Sequence, residues 1–284
     1  MGNTLSYFIE EAVCQYKNSQ YPVLEISSLK IKSGDIVFFV GASGVGKSTL
    51  LETLGLMNNT IVNKPQTKFL FDNGSCDLMN LWKTSESEIS AFRKRHFSFV
   101  FQSTNLFNNL SALQNVCLAQ IVRGRTESAS KINAVRMLKT VFDEDKEQET
   151  LTEIVNGKNA SLFSGGQRQR LAFVRAAVAD YDVLLADEPT GNLDWKNANK
   201  LMRQLAAEVK TMNKTAIVVT HDISLAMEYG DQVVLLSKNL NANSKIKGRI
   251  TGKDTFTKSD QKWVNTLGEA IDNEALLNYL KDQL

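Results

Sequence analysis

The amino-acid sequence predicts an α/β fold in which helices cover both faces of a largely parallel sheet. Short apolar runs of strand length, such as Ile36–Val40, alternate with longer segments of helical periodicity. A glycine-rich loop at residues 41–46 joins that run to a helix. Parallel strands need long and usually helical crossovers, so this alternation is typical of a buried parallel sheet.

The composition fits a globular protein and disfavours two other classes. Of the 284 residues, 43% are hydrophobic, which is enough for a large core. The 33 basic and 31 acidic residues leave a net charge of +2, whereas nucleic-acid binding usually leaves a basic excess, so we expect no nucleic-acid partner. No run of 18 apolar residues occurs, so a membrane role would require a partner. Three scattered cysteines without metal-binding spacing indicate a reducing cytoplasm.

Periodicity and turn signals place the elements along the chain. Alternation at residues 23–32 predicts a strand, which the polar and glycine residues at 33–35 end. The region of about 103–163 is mainly helical. Further strands are predicted at residues 36–40, 97–101, 183–186, 216–219 and 233–236, and further helices at residues 48–56, 167–178 and 197–210.

The C-terminal part of the chain has a different pattern. Residues 239–247 are polar and predict a loop. From Lys258 onward, apolar residues recur at roughly helical spacing, which predicts an amphipathic helix. That helix either packs on its own domain or binds a partner. The apolar residues are Trp263, Leu267, Ile271, Leu276, Leu280 and Leu284.

The loop at residues 41–48 has the pattern of a phosphate-binding loop, Gly-Ala-Ser-Gly-Val-Gly-Lys-Ser. Its glycines let the backbone curl so that N–H groups face phosphate oxygens. Lys47 brings a positive charge to the same oxygens, and Ser48 offers a hydroxyl to Mg²⁺. The alternative is an ordinary glycine-rich turn, but the strand before the loop and the helix after it favour phosphate binding.

Two acidic residues follow the strand predicted at residues 183–186. Asp187 is placed to hold the water shell of Mg²⁺, and Glu188 can polarise an attacking water. Two acids after a strand are common by themselves. A phosphate-binding loop in the same chain favours the catalytic interpretation.

A second anion site is predicted at residues 164–167, where Ser164, Gly165, Gly166 and Gln167 open a helix. The serine hydroxyl and the backbone donors converge there on one point. One chain with one phosphate-binding loop has no obvious need for a second phosphate site. A head-to-tail dimer resolves this, because each chain can close on the ATP that the other holds. The alternative is a plain helix cap.

Taken together, these motifs resemble the nucleotide-binding subunits of ABC transporters over roughly residues 1–237. The Walker A loop lies at residues 41–49, the signature at residues 164–167 and Walker B at residues 183–188. The resemblance also identifies Gln102 with the Q-loop, His221 with the switch histidine and residues 191–194 with the D-loop. All six motifs occur in family order.

The resemblance implies a P-loop NTPase (RecA-like) core with an antiparallel β subdomain and an inserted α-helical subdomain at about residues 103–165. It implies a nucleotide-binding domain at residues 1–240, and residues 241–284 are then a C-terminal extension of loop and amphipathic helix. ATP and Mg²⁺ are the implied cofactors, and ATP hydrolysis is the implied reaction. A second copy of the chain is an implied partner.

Family roles transfer to the matching positions. Glu188, His221, Lys47 and Gln102 are the catalytic candidates. Ser48, Gln102 and Asp187 are the candidate Mg²⁺ ligands. An upstream aromatic residue stacks on adenine in the family; Tyr16 is our choice and Tyr21 the alternative. The remaining nucleotide-binding candidates are Gly41, Ser43, Gly44, Gly46, Thr49, Ser164, Gly165, Gly166, Gln167 and Asp194.

The segment at residues 186–194 resembles the branch of lipoprotein-release, macrolide-export and cell-division (FtsE) ATPases. This implies a peripheral protein at the cytoplasmic face of the inner membrane that drives an integral permease of MacB, FtsX or LolCE type. The alternative is a soluble ABC ATPase that acts on nucleic acid or ribosomes. The sequence departs from the family at Phe163, where leucine is usual, and at residues 159–162, which lack the usual proline.

Overall fold

The computed structural model describes residues 4–142, 147–238, 246–260 and 262–284. The strands are β1 (Leu5–Cys14), β2 (Leu24–Lys32), β3 (Ile36–Val40), β4 (Lys68–Phe71), β5 (Cys76–Asp77), β6 (Phe97–Val100), β7 (Val183–Asp187), β8 (Thr215–Val219), β9 (Gln232–Leu235), β10 (Ser237–Lys238), β11 (Gly248–Ile250), β12 (Thr255–Ser259), β13 (Lys262–Asn265) and β14 (Ala270–Asp272). The helices are α1 (Lys47–Leu54), α2 (Leu78–Leu81), α3 (Glu86–His96), α4 (Ala112–Val122), α5 (Glu127–Val141), α6 (Gln148–Val155), α7 (Gly165–Ala177), α8 (Trp195–Met212), α9 (Ile223–Tyr229) and α10 (Asn273–Asp282).

The larger sheet has eight strands in the order β14-β13-β12-β9-β3-β8-β7-β6. Its five strands from β9 to β6 are parallel, as the alternation of strands and helices predicted. Alternate residues of β3 enter two different cores, Phe38 on one face and Phe39 on the other. This two-sided burial explains why β3 is apolar throughout rather than alternating. The carboxyl ends of these strands meet at one edge, where the functional loops begin.

A second sheet, of six strands in the order β10-β11-β2-β1-β4-β5, supplies the predicted antiparallel subdomain. It is antiparallel except where β11 runs parallel to β2. Tyr7 and Ile9 of β1 share a buried core with Val37 and Phe39 of β3 and with Leu50 of α1. The sheet therefore packs over α1 and fixes the loop that precedes α1.

Helices α4, α5 and α6 form the helical part of the chain; α4 and α5 pack against α7, and α6 packs against α4 and α5. Helix α4 exposes Ile121 and Val122 and buries Ala112, Leu113, Asn115, Val116, Cys117 and Gln120. Among them is Asn115, which is fully buried. Its amide donates to the backbone oxygens of Phe107 and Ser111 at 3.0 Å, and its Oδ1 accepts from the Phe107 N–H at 2.7 Å. Asn115 thus ties the loop before α4 to the helix.

The prediction of a helix from Lys258 onward is wrong for residues 258–272. That segment belongs to the antiparallel strands β12, β13 and β14, which extend the larger sheet beyond β9. Trp263 is fully buried but Leu267 is 58% exposed, in a turn that ends at Gly268 with φ +85°. The spacing of the apolar residues thus comes from strands and turns and not from a helix. These strands form because the edge of the sheet at β9 offers backbone hydrogen bonds, which a local sequence pattern does not reveal.

Helix α10 is the helical part of the tail, and it packs on its own domain. Leu276 and Leu280 are fully buried and join the same core as Trp263. The Trp263 indole N–H donates to Asn273 Oδ1 at 2.9 Å, which fixes the start of the helix. β11 also joins the tail to the smaller sheet, so the tail contributes to both sheets. The loop predicted at residues 239–247 lies mostly outside the described residues.

Across the described ranges, no helix is both long and apolar enough to cross a bilayer. The longest, α8, has 18 residues and presents charged side chains along one face. This agrees with the absence of long apolar runs in the sequence.

Replacement of Leu280 by alanine tests whether α10 is part of the fold. The Leu280→Ala change should lower the free energy of unfolding by about 2–5 kcal/mol, because it leaves a cavity in a fully packed site. Denaturant unfolding measures the loss. Leu284→Ala is the matched control; Leu284 is 43% exposed, and its loss should cost less than about 0.5 kcal/mol. Equal effects of the two changes would contradict the packed position of α10.

Candidate active site

The loop between β3 and α1 requires glycine at two positions. Gly41 has φ +148°, and a Cβ there would lie 2.5 Å from the backbone oxygen of Leu236. Gly46 has φ +104°, and a Cβ there would lie 3.0 Å from a methyl group of Val23. Helix α1 begins directly afterwards, so the free N–H groups of its first turn open towards the loop. The local geometry is therefore that of an anion-binding loop.

Lys47, the first residue of α1, curls over this loop. Its ammonium group donates to the backbone oxygens of Gly41 at 2.6 Å and Ala42 at 3.0 Å. Burial lowers the pKa of Lys47, and the nearby carboxylates of Glu188 and Asp187 oppose that shift. An anion at the loop would add to the stabilisation of the charged form.

The loop forms one wall of a cleft with a volume of 340 Å³. The cleft gathers residues that are widely separated along the chain. They are Tyr16, Val23, Ser43, Gly44, Gly46, Lys47, Ser48, Thr49, Gln102, Asp187, Glu188, Val219 and Lys247. Most of the nucleotide-binding residues predicted within one subunit therefore meet at one place.

Tyr16 lies at the cleft, whereas Tyr21 is not among the residues that line it. The Tyr16 hydroxyl is 3.1 Å from Oγ1 of Thr49, and its side chain remains 36% exposed. The location agrees with our choice of Tyr16 over Tyr21 as the candidate for adenine.

Glu188 follows the last residue of β7 and has an unusual backbone. Its φ of +49° lies in the left-handed region, which residues with a Cβ rarely adopt. Its N–H donates to the backbone oxygen of Val219 at 3.0 Å. Its Oε2 accepts from Nδ1 of His221 at 2.9 Å. Burial raises the pKa of Glu188, and His221 opposes that rise.

Three predicted metal ligands, Ser48, Gln102 and Asp187, line the same cleft. They come from α1, from the loop after β6 and from the end of β7. Among the described residues, no group of three or more His, Cys, Asp or Glu side chains could hold a metal ion by itself. A cation here would therefore need the hydroxyl and the amide, together with oxygens from the nucleotide.

The second predicted anion site lies elsewhere in the chain. Ser164 caps α7: its Oγ accepts from the N–H of Gln167 at 3.3 Å, and Gln167 Oε1 accepts from the N–H of Ser164 at 2.9 Å. Asp194 caps α8 by accepting from the N–H of Asn197 at 2.9 Å. None of the residues Ser164, Gly165, Gly166, Gln167 and Asp194 lines the cleft.

Comparisons with known proteins agree with this geometry. A family model described as ABC transporter matches residues 24–191. The lipoprotein-releasing system ATP-binding protein LolD of Pseudoalteromonas translucida is 34% identical over 220 residues, which cover 77% of this chain and 86% of that protein.

This chain belongs to the ABC transporter family.

Further relatives support the same assignment. The macrolide export ATP-binding/permease protein MacB of a Shewanella species is 35% identical over 259 residues, or 91% of this chain but 35% of that protein. The dimeric structure of MJ0796, a bacterial ABC transporter cassette, superposes with a TM-score of 0.67 at 30% identity and covers 81% of this chain and 93% of that one. A second MJ0796 structure is a dimeric post-hydrolysis state bound to ADP and Pi. It is 29% identical, covers 81% of this chain and 93% of that chain, and superposes with a TM-score of 0.67.

The predicted fold class, the resemblance to LolD and MacB, and ATP hydrolysis are thereby confirmed. This ABC ATPase has a nucleotide-binding P-loop core, and the reported relatives favour the transport interpretation over a nucleic-acid or ribosome role.

Sequence reasoning missed three residues of the cleft in this ABC ATPase: Val23, Val219 and Lys247. Lys247 reaches the cleft because the next residue, Gly248, donates its N–H to the backbone oxygen of Val23 at 3.0 Å. A Cβ on Gly248 would lie 2.2 Å from the Val45 backbone oxygen, so β11 lies directly against the phosphate-binding loop. No local pattern in the sequence indicates this long-range pairing.

Removal of the Lys47 ammonium group should weaken nucleotide binding itself. We expect Lys47→Ala to lower the affinity for a fluorescent ATP analogue about 10- to 100-fold, the size of a lost charge-assisted hydrogen bond. Equilibrium titration measures this affinity. Lys64→Ala, at an exposed lysine away from the cleft, is the control. Unchanged affinity in Lys47→Ala would remove Lys47 from the binding site.

Proposed function

We propose that this chain is the ATP-hydrolysing subunit of a LolD- or MacB-like complex. In this proposal two copies dimerise around two ATP and drive an integral membrane permease in lipoprotein release, export or transmembrane mechanotransmission. One observation carries the proposal: most of the predicted nucleotide-binding residues of one subunit meet at the cleft, which we take as one half-site, while the predicted second half-site at the cap of α7 lies away from it. In the proposed dimer, each half-site is completed by the other half-site of the second copy.

We propose a permease partner because the chain is similar to LolD and MacB. LolD is named as the ATP-binding protein of a lipoprotein-releasing system, and MacB carries ATP-binding and permease functions in one protein. The match covers 91% of this chain and 35% of MacB, and we propose that the permease is a separate integral membrane protein. We therefore propose a peripheral position at the cytoplasmic face of the inner membrane. The residues 1–240 would form the nucleotide-binding domain, with residues 241–284 as an extension that completes its sheets.

Within the cleft we propose that Lys47 and the first turn of α1 hold the β- and γ-phosphates of ATP. Thr49 and its neighbours Ser43, Gly44 and Gly46 would shape the phosphate cradle, and Tyr16 would stack on adenine. Ser48, Gln102 and Asp187 would hold Mg²⁺. When bound, Mg²⁺ supplies positive charge that offsets the negative charge developing on the phosphate oxygens.

Glu188 is the proposed general base. Burial raises its pKa, which increases the affinity of the carboxylate for a proton taken from water. The Nδ1 of His221 orients the carboxylate at 2.9 Å. We propose that His221 also contacts the γ-phosphate and that Gln102 senses it, as the family resemblance implies.

The dimer would complete the site from the other side. The capped start of α7, with Ser164, Gly165, Gly166 and Gln167, would present N–H and hydroxyl donors to the γ-phosphate held by the second copy. Asp194 would order the interface between the copies. The dimeric MJ0796 cassette supports this arrangement by similarity.

The Glu188→Gln change tests the base. Because the amide keeps the size but cannot accept a proton, turnover should fall about 100- to 10,000-fold while ATP binding persists. A coupled phosphate-release assay gives kcat, and equilibrium titration gives the affinity. In wild-type protein the raised pKa should place the acid limb of kcat above the range of an ordinary glutamate. Glu149→Gln, at an exposed glutamate, is the control. Near-normal turnover in Glu188→Gln would refute the role.

Dimerisation should depend on ATP and on Ser164. Glu188→Gln with Mg-ATP should shift from monomer to dimer, since bound ATP is no longer consumed. Addition of Ser164→Arg should block closure, because the larger side chain fills the space that the partner's phosphate needs. Light scattering with size exclusion reports the mass. Ser90→Arg, at an exposed serine on α3, should leave the dimer intact. A dimer indifferent to both ATP and Ser164 would mean that the second half-site is not shared.

The permease should dock beside the loop after Gln102. Phe107 is 52% exposed, and Leu110 borders a groove of 550 Å³ along α4. We expect Phe107→Glu and Leu110→Glu to keep the melting temperature and nucleotide binding but to lose a membrane partner on co-purification from detergent-solubilised membranes. Met212→Glu, at a 60% exposed residue on α8, should keep the partner. If both the Phe107 and the Leu110 variant retain the partner, docking lies elsewhere.

A further inference from the structure

The backbone of Glu188 is held by three hydrogen bonds in a conformation that it would not otherwise favour. Its φ is +49°. Its N–H bonds to Val219, which belongs to the neighbouring strand β8. Its carbonyl oxygen accepts two further hydrogen bonds, from the N–H of Gly191 at 3.2 Å and from Nε2 of Gln169 at 2.9 Å. The direction of the carboxylate depends on this peptide, because the side chain leaves from the same Cα.

Gln169 lies in the second turn of α7 and is 1% exposed. Both the nitrogen and the oxygen of its side-chain amide form hydrogen bonds. Nε2 donates to the backbone oxygen of Glu188, and Oε1 accepts from Nδ2 of Asn192 at 2.7 Å. The assignment of the two ends is fixed, since a backbone oxygen accepts only and must therefore face the amide nitrogen. Gln169 is not among the residues that line the cleft.

Asn192 belongs to the loop between Glu188 and Asp194, which the proposed dimer places at the interface. The start of α7 lies close to the same loop, since a Cβ on Gly166 would lie 3.3 Å from the backbone oxygen of Asn192. A single side chain, Gln169, thus connects three features: the helix that carries the second half-site, the interface loop and the peptide of Glu188.

We infer that Gln169 is a positioning residue for ATP hydrolysis: it holds the Glu188 peptide in its left-handed conformation and couples that conformation to the loop of Asn192. The inference rests on the proposed function in one respect, the role of Glu188 as base. Movement of the interface loop or of α7 is transmitted through the amide to the direction of the carboxylate. Closure of the dimer would then set the base as well as complete the phosphate site.

The test is the change Gln169→Met in the full chain, with the ATPase rate measured as kcat and KM. Methionine keeps the length and the unbranched shape but forms neither hydrogen bond. We expect kcat to fall about 10- to 100-fold, the effect of a misplaced catalytic group, with KM and nucleotide affinity within about twofold of wild type. Asn192→Ala, on an exposed loop residue, should lower kcat about three- to tenfold by loss of one hydrogen bond, and it keeps the inference testable if Gln169→Met folds poorly.

Gln120→Met is the matched control. Gln120 is 2% exposed, lies on α4 and does not line the cleft, and its Nε2 donates to the backbone oxygen of Val178 at 2.5 Å. A structural cost of losing a buried glutamine would appear in both variants, as a similar fall in melting temperature. We expect a fall in kcat in Gln169→Met alone. Equal kcat in the two variants would overturn the inference.

The decisive comparison repeats Gln169→Met in the Glu188→Gln background. If Gln169 acts through Glu188, the residual rate of Glu188→Gln should not fall further, and ATP-dependent dimerisation should persist. The same fold-loss in both backgrounds would mean a general structural role and would overturn the inference. If Gln169→Met hydrolyses ATP at the normal rate while Glu188→Gln is inactive, the inference fails and the proposed function stands. If Glu188→Gln hydrolyses ATP at the normal rate, Glu188 is not the general base, and both that part of the proposed function and the inference fail.

Discussion

In the larger sheet, β3, β8, β7 and β6 pair in a register that brings their carboxyl ends level. Val219 of β8 lies opposite both Phe39 of β3 and Asp187 of β7, and Ala186 lies opposite Val100 of β6. The phosphate-binding loop, Glu188, the Q-loop and His221 each begin within a few residues of these positions. A slip of one residue in any pair would turn the buried side chains of that strand to the opposite face, so the two cores enforce the register. The cleft is a consequence of that packing.

Burial in the cleft acts on charges of both signs. It lowers the pKa of Lys47 and raises that of Glu188, and each group partly opposes the shift of the other. Desolvation thus prepares a cation that gains from a polyphosphate and a carboxylate with a higher affinity for a proton. Both properties come from one cause, the position of the two side chains at the end of a sheet covered on both faces. They suit the ATP hydrolysis that the family performs.

The tail illustrates a second structural constraint. Without β12, the antiparallel neighbour of β9, one side of the parallel sheet would present unpaired backbone groups. The tail covers that side with β12, β13 and the short strand β14, and α10 seals the core beneath them. β11 continues the smaller sheet and brings Lys247 to the cleft. The tail is therefore part of the sheets that support the nucleotide site and is not a separate appended segment.

The sequence by itself determined the parallel α/β core, the phosphate-binding loop, the acids after β7 and the family, because each of these depends on short segments whose pattern is local. Gly41 and Gly46 are examples, since the loop demands them wherever it occurs. The tertiary structure alone decided the strands of the tail, the place of Lys247 and the bridge from Gln169 to Glu188 and Asn192. These depend on partners distant in the chain: an open edge at β9, a backbone oxygen on Val23, and an amide brought against a peptide 19 residues away. Hydrogen bonds of this kind leave no periodicity in the sequence, because backbone groups are the same at every residue and only the fold selects which of them meet.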